Sequence, residues 1–185
     1  KACLGMFWVP NPGPQTEAYF SPADILYYGG AAGGGKSELI CGTALNDHSS
    51  SRIFRTHFKD VDGVGGLAER LVSILRDAGL ETSRPSPHVY RLPGLPAKPG
   101  VPARSFRKLE FGAFTNDTEA EDYRGRAADF IAFDEVQQFL QHLVRFILGW
   151  NRTTIKGQRR RAILAGNPPT QPEEMWIIDE FAPWV

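Results

Sequence analysis

Apolar residues follow two patterns along this chain, short continuous runs and longer stretches at helical spacing. The runs ADILYY, SRIFRTHF, SFRKLEFGAF, ADFIAFDE and RRRAILAG contain β-branched and aromatic residues and predict strands, the first ending at Tyr28. The sequence SELICGTALN predicts a helix that begins near Gly35. A second predicted helix ends near Gly79 and repeats its apolar residues on one face: Leu67, Leu71, Ile74 and Leu75.

The remaining segments complete a predicted α/β fold. Residues 1–22 are rich in proline and aromatic residues and predict an extended arm. Residues 84–104 are dense in proline, which excludes a helix or a central strand and favours a surface loop or an edge hairpin. A polar helical turn precedes ADFIAFDE, and VQQFLQHLVRFILGW predicts an amphipathic helix. Strands separated by helices predict a single domain over residues 1–185, with a mainly parallel sheet and helices on both faces.

Composition and charge exclude several classes of protein. Lys and Arg number 21, as do Asp and Glu, so there is no global positive field for autonomous DNA binding. Any contact with DNA is therefore expected to be local, weak or supplied by other parts. Cys3 and Cys41 form no CxxC pair or disulfide framework, and Cys/His metal clusters are absent, which suits a reducing cytoplasm. The sequence has neither a signal peptide nor an apolar run of about 20 residues, which predicts a soluble protein without a membrane partner.

A glycine-rich segment follows the first predicted strand and matches the phosphate-loop motif GxxxxGK(S/T), or Walker A. We predict that its residues bind ATP: Gly30, Ala31, Ala32, Gly33, Gly34, Gly35, Lys36 and Ser37. Glycine lets successive N–H groups point at the phosphates, and the following helix adds its positive dipole end. Lys36 would reach the β and γ phosphates, and Ser37 would offer its hydroxyl to Mg²⁺. The alternative is a glycine-rich turn that carries these residues by chance, and the flanking strand and helix argue against it.

A buried strand, residues 130–133, ends in two adjacent carboxylates, Asp134 and Glu135. Open parallel sheets place their ligand crevice at the carboxyl ends of strands, so the pair is expected beside the phosphate loop. Because neighbouring strand residues point to opposite faces, the two acids are expected to have different tasks. Asp134, the Walker B residue, would support Mg²⁺, and Glu135 would orient the attacking water. Alone, the pair also fits a helix N-cap with an acidic first turn, but beside a phosphate loop the catalytic interpretation is favoured.

Three segments resemble the large terminase subunits that package DNA into tailed-phage heads. YYGGAAGGGKSELI, DYRGRAADFIAFDEVQQF and ILAGNPP occur in the order of that family's signatures, and the resemblance covers residues 10–185. It implies the N-terminal ATPase domain, with a three-layer P-loop NTPase fold of the additional-strand, catalytic-glutamate (RecA-like) type. It also implies that ATP hydrolysis, with Mg²⁺, powers translocation of double-stranded DNA. The implied partners are the portal protein, the small terminase subunit and further copies in a ring, in the host bacterial cytoplasm and transiently at the procapsid portal.

The resemblance assigns roles to residues outside the two motifs. Gln15, upstream of the phosphate loop, would contact adenine, although a lone glutamine in a loop is usually solvated. Asn167 in AGNPP would sit beside the γ-phosphate and couple hydrolysis to movement, although Asn before Pro is also an ordinary turn.

An arginine finger, donated to the ATP of a neighbouring subunit, is a further implied group. Arg124 in DYRGR fits it best, with Arg126 second, because a guanidinium can stabilise the charge on the transferred phosphoryl group. The alternative is that both are surface arginines paired with nearby acids, namely Glu119, Glu121 or Asp122.

The sequence departs from the family in two places. Many terminases carry an arginine at the variable positions of the phosphate loop, which here are Ala, Ala, Gly and Gly at 31–34, so that phosphate contact is expected to be missing. The chain also stops at Val185, where a full-length large terminase continues into a nuclease domain, so we expect no DNA cleavage.

The basic run at 159–161 favours a solvated edge or a subunit contact over a DNA site. Two rival functions stay open, a helicase or recombination ATPase and a module that binds ATP without hydrolysing it.

Overall fold

The computed structural model describes residues 6–31, 33–97, 100 and 102–182, with the backbone alone for 104–106. The helices are α1 (Pro14–Phe20), α2 (Lys36–Asp47), α3 (Phe58–Asp62), α4 (Leu67–Asp77), α5 (Asp117–Glu121), α6 (Gln141–Leu148) and α7 (Trp176–Phe181). The strands are β1 (Ile25–Gly29), β2 (Ser50–Arg55), β3 (Ser83–Ser86), β4 (Val89–Leu95), β5 (Arg104–Ala113), β6 (Phe130–Asp134) and β7 (Arg161–Gly166). Short 3-10 turns, Val136–Gln138 and Pro172–Glu174, follow β6 and β7.

These strands form one sheet in the order β1-β7-β6-β2-β5-β4-β3. The first five are parallel, and the hairpin of β3 and β4 adds antiparallel strands at one edge. The register pairs Gly29 with Gly166 and Phe54 with Phe133, so β1, β7, β6 and β2 end close to the same level. Their carboxyl ends therefore form one edge, where open parallel sheets have their ligand crevice.

Two apolar clusters cover the faces of the sheet. Within β6, Phe130 and Ala132 belong to the cluster under α1, α2 and α4, whereas Ile131 and Phe133 belong to the cluster under α6 and α7. Every residue of β6 is buried, as is typical of a strand packed between two helical layers. The three-layer α/β architecture with a mainly parallel sheet, which the sequence predicts, is thus confirmed.

The second predicted helix, which ends near Gly79, is present as α4, and its predicted apolar face is buried. Gly79 follows the helix with a φ of 64°, and the amide of Leu80 donates to the carbonyl of Leu75 at 2.9 Å, which closes its last turn. In the proline-rich segment the structure shows the edge hairpin, although residues 98, 99 and 101 lie outside the described residues. None of the helices in the described ranges is both long and apolar enough to cross a bilayer.

The predicted extended arm of residues 1–22 contains a helix instead. α1 begins at Pro14, where the fixed φ and missing N–H of proline suit the first helical turn. Tyr19 packs edge-on against Trp8, and both are buried, which fixes α1 on the domain. The prediction was wrong because proline breaks a helix in its interior but favours one at its first position. Residues 1–5 of the arm lie outside the described part of the chain.

Two other predicted boundaries also move. The apolar stretch after β6 is not one helix, because Phe139 is extended and its ring packs against Phe133 before α6 begins. The predicted strand SRIFRTHF ends at Arg55, and α3 begins at Phe58. In the first case a tertiary contact, which the local apolar pattern does not show, determines where the helix starts.

Candidate functional site

The loop between β1 and α2 wraps its backbone around Lys36. Gly30, Gly33 and Gly35 have φ values of 151°, 83° and 70°, a region that favours glycine, while Ala32 lies outside the described residues. Lys36 is the first residue of α2 and is 8% exposed. Its Nζ donates to the carbonyl oxygens of Gly30 at 2.7 Å and Ala31 at 2.8 Å. The ammonium is thus held inside the loop, where the phosphates of a nucleotide would contact it.

Ser37 and Asp134 meet beside the loop. The Ser37 hydroxyl donates to Asp134 Oδ2 at 2.9 Å, and Asp134 is 1% exposed. Asp134 Oδ1 is buried and has no hydrogen-bond partner among the described residues. Mg²⁺ prefers hard oxygen ligands and usually keeps several waters, binding through one or two carboxylates and substrate phosphates. A buried carboxylate oxygen without a hydrogen-bond partner, on a side chain that also contacts a serine hydroxyl, therefore fits such an ion.

Arg55 completes the surroundings of Asp134, and the sequence motifs did not identify it. It is the last residue of β2, and the register that pairs Phe54 with Phe133 places it beside Asp134. Arg55 Nε donates to Asp134 Oδ2 at 2.9 Å, and Nη2 donates to the same oxygen. The guanidinium thus neutralises the carboxylate at Oδ2, the same oxygen that accepts the Ser37 hydroxyl. A cation at the end of SRIFR was a visible signal, but only strand order shows that β2 adjoins β6.

Glu135 follows β6 in an unusual backbone conformation. Its φ of 60° and ψ of 47° lie in the left-handed region, and among the described residues no other non-glycine has a positive φ. This turn ends the strand alternation, so Glu135 lines the cleft whereas Asp134 is buried and contacts Ser37. A left-handed conformation costs about 1–2 kcal/mol for a residue with a side chain. Strained residues cluster at functional sites, so this conformation makes Glu135 a candidate for a functional role.

Asn167, just after β7, links the phosphate loop to Glu135. Its Oδ1 accepts from Lys36 Nζ at 3.0 Å, and its Nδ2 donates to Glu135 Oε2 at 3.4 Å. Gln137, which the sequence did not single out, also belongs to this network. Its Nε2 donates to Glu135 Oε2 at 2.7 Å, and its Oε1 accepts from the backbone N–H of Asn167 at 3.2 Å. Tyr27 OH donates to the Asn167 carbonyl at 3.0 Å, and burial raises the pKa of Tyr27, so its phenol stays protonated.

A cleft of about 300 Å³ brings these groups together. Loop residues 33–35, Lys36 and Ser37 line it, with Glu135 and Asn167, and α4 contributes Arg70. A second cavity of about 310 Å³ lies beside Asp47 and Arg161, at the amino-terminal ends of the parallel strands. It contains none of these groups. The chemistry therefore selects the loop cleft as the candidate site.

Gln15 contacts the phosphate loop but does not line the cleft. It is buried, its Nε2 donates to the Gly35 carbonyl at 3.0 Å, and its Oε1 accepts from the Asn11 amide at 2.5 Å. A Cβ at Gly35 would lie 2.5 Å from Gln15 Nε2, so the missing side chain makes room for this contact. Gln15 thus braces the loop in this structure, and recognition of adenine by Gln15 stays a prediction.

Arg124 and Arg126 lie in the turn between α5 and β6 and do not line the cleft. Arg124 is exposed, forms an ion pair with Glu121, and stands 5.3 Å from the centre of the Phe146 ring. The hydrogen bond with Glu121 raises the pKa of Arg124. Arg126 donates to Glu110. Within one chain, Arg124 forms an ion pair that the alternative interpretation names, whereas the partner of Arg126 is Glu110, an acid that it does not name. Donation of a finger to another subunit stays a prediction.

Two arginines of the basic run at 159–161 donate to backbone carbonyl oxygens of α1 and of the segment that follows it. Arg161 is buried and donates to the carbonyl oxygens of Ala18 at 2.5 Å and Tyr19 at 2.7 Å. Arg159 donates to the Ala23 carbonyl at 2.7 Å. Burial lowers the pKa of Arg161 to about 10, which leaves it charged at neutral pH. The expectation of a solvated edge is therefore wrong for Arg161, which is buried, and these contacts favour a structural role over a DNA site.

The phosphate loop, the acid pair and the parallel sheet together define a P-loop NTPase fold. Solved large terminases share it: that of a thermophilic bacteriophage aligns with a TM-score of 0.64 at 11% identity, over 90% of this chain and 43% of that one. A complex of such a terminase with ADP aligns with a TM-score of 0.58 at 14% identity, over 83% and 38%. The large terminase ATPase domain of Thermus phage P74-26 aligns with a TM-score of 0.60 at 14% identity, over 94% and 70%.

At these identities the likeness shows the fold, and this chain spans less than half of the first two terminase chains. No protein-family model and no curated protein matches the sequence.

Proposed function

We propose that this chain is a magnesium-dependent ATPase that drives double-stranded DNA into a phage capsid, as the motor domain of a large terminase. The proposal depends on one observation, the hydrogen-bonded network that joins Lys36, Asn167 and Glu135 at the cleft. The contact between Ser37 and Asp134 adjoins this network. A phosphate-binding lysine, a magnesium site and a carboxylate for water are the groups that NTP hydrolysis requires.

Each residue has a distinct role in this proposal. Lys36 and the loop amides bind the phosphates, and Ser37 with Asp134 holds Mg²⁺, which supplies charge stabilisation to the phosphate oxygens. Glu135 orients the attacking water. The side-chain hydrogen bonds to its carboxylate within the described residues both go to Oε2, which leaves Oε1 for a water molecule.

The resemblance and the shared fold extend the proposal to the assembly. The proposed partners are DNA, the portal protein, the small terminase subunit and further copies in a ring, at the procapsid portal in the host cytoplasm. Arg124 suits donation to a neighbouring subunit because it is exposed. Its ion pair with Glu121 is also exposed on both sides, and such pairs contribute little to stability.

Substitution of Glu135 tests the hydrolytic role. Glu135→Gln keeps the side-chain volume and removes the charge, so turnover should fall by about 100-fold or more while MgATP still binds. Lys36→Ala should instead abolish binding. Phosphate release measures turnover, and a fluorescent nucleotide analogue measures binding. A wild-type chain that binds ATP without turnover, unchanged by E135Q, would be a binding module, and stronger stimulation by single-stranded than by duplex DNA would indicate a helicase.

A further inference from the structure

Arg70, on α4, is a second cation at the cleft besides Lys36. Lys36 uses its ammonium for contacts to Gly30, Ala31 and Asn167. Arg70 is exposed and forms no hydrogen bond or ion pair with any other residue that the structure describes. A guanidinium at this cleft therefore has all its donors free for a ligand.

The turn before α4 fixes the position of Arg70. A Cβ at Gly66 would lie 2.5 Å from the carbonyl oxygen of Val61, so only glycine fits this close passage of the backbone. Gly65 has a φ of 75°, and its N–H donates to Glu69 Oε2 at 2.6 Å, which ties the turn to the first turn of α4. The buried apolar face of α4 sets the rotation of the helix. Arg70 is thus presented to the cleft by a well-anchored element.

We propose that Arg70 binds the terminal phosphate of ATP within its own chain. This inference rests on the proposed function, because it requires a nucleotide in the same cleft. The variable positions of the phosphate loop, 31–34, carry no cation, so Arg70 would supply the positive charge that the loop lacks. Its planar fork matches phosphate oxygens, and no existing contact has to break. We assign the terminal phosphate because Glu135, which orients water against that phosphate, lines the same cleft.

Equilibrium binding of ATPγS and of ADP, each with Mg²⁺, tests this assignment. Arg70→Ala should weaken ATPγS binding about tenfold and leave ADP binding unchanged, because a charge-assisted hydrogen bond is lost only when the third phosphate is present. Arg70→Lys keeps the charge without the fork and should lie between R70A and the wild type. Arg76→Ala is the matched control, an exposed arginine in the last turn of the same helix that does not line the cleft, and it should change neither affinity.

Equal affinities of R70A and R76A for ATPγS would overturn the assignment. So would a loss of ADP affinity in R70A as large as its loss of ATPγS affinity. If the wild type binds ATPγS and Lys36→Ala abolishes this binding while R70A has no effect, Arg70 alone is misassigned. If the wild type binds neither nucleotide, the proposed function fails as well. Because Arg70 is exposed and unpaired within the described residues, R70A should melt as the wild type does, which circular dichroism checks.

Discussion

Replacing Arg55 by Met should destabilise the nucleotide-free protein and make its stability depend more strongly on magnesium. Methionine keeps a long unbranched side chain but removes the guanidinium that donates to Asp134 Oδ2. Among the described residues, the Asp134 carboxylate would then keep only the Ser37 hydroxyl as a donor. A buried charge with one hydrogen bond is costly.

The magnitude follows from the burial of the pair. Removing one partner of a buried ion pair costs about 3–5 kcal/mol. The Arg55 side chain is 19% exposed, against 1% for Asp134, so water can partly compensate the change and we expect a lower cost, about 2 kcal/mol. For a chain of 185 residues, this lowers the melting temperature by about 4–8 °C.

Thermal melting in EDTA, and again with saturating MgADP, measures both effects. Mg²⁺ supplies the positive charge that Asp134 lacks in R55M, so MgADP should raise the melting temperature of R55M by several degrees more than that of the wild type. The double variant R55M/D134N has no buried charge to satisfy and should recover much of the loss. Arg76→Met controls for the loss of an exposed arginine. An R55M variant that melts with the wild type, or a double variant less stable than R55M, would refute this reasoning.

Two further substitutions test the backbone of the site. Gly35→Ala places a Cβ 2.5 Å from Gln15 Nε2 at a residue whose φ is 70°, so it should weaken MgADP binding about tenfold, as measured by calorimetry. The control is Gly149→Ala, at a φ of −58°, which should leave MgADP binding unchanged. Equal affinities for the two variants would contradict the strain argument. Glu135→Gly relieves the left-handed conformation and should raise the free energy of unfolding by about 1 kcal/mol while abolishing turnover. Glu135→Ala keeps a Cβ and should gain nothing, so coinciding denaturation midpoints for the Gly and Ala variants would count against this account.

The phosphate loop and the acid pair could be predicted because each is a local motif. Lys36 follows a strand and opens a helix, and Asp134 ends a buried strand, so both are recognisable from neighbouring residues. The rule that parallel strands share their carboxyl edge then places the two segments on the same edge of the sheet. That Ser37 and Asp134 come within hydrogen-bond distance depends in addition on strand order, because only β7 separates β1 from β6.

Arg55 and Arg70 could not be predicted, because their positions depend on long-range geometry. Arg55 reaches Asp134 only since β2 adjoins β6, and the strand pattern alone allows many orders of the sheet. Arg70 reaches the cleft through the direction in which α4 leaves its glycine turn, which the apolar periodicity of the helix does not determine. The periodicity identifies the buried face of α4 but not what its exposed face meets.

Asn167 is the point at which events at the phosphates would reach the rest of the domain. Lys36 has three donors, and Asn167 Oδ1 accepts one of them while loop carbonyls accept the others, so a triphosphate that binds Lys36 must replace some of these contacts. The side-chain amide of Asn167, which also donates a hydrogen bond to Glu135, can then reorient. The backbone carbonyl of Asn167 accepts a hydrogen bond from Tyr27 OH. The Tyr27 ring in turn stacks on Phe181 of α7, with ring centroids 5.6 Å apart. Under the proposed function, this continuous path of contacts would connect the state of the nucleotide to α7.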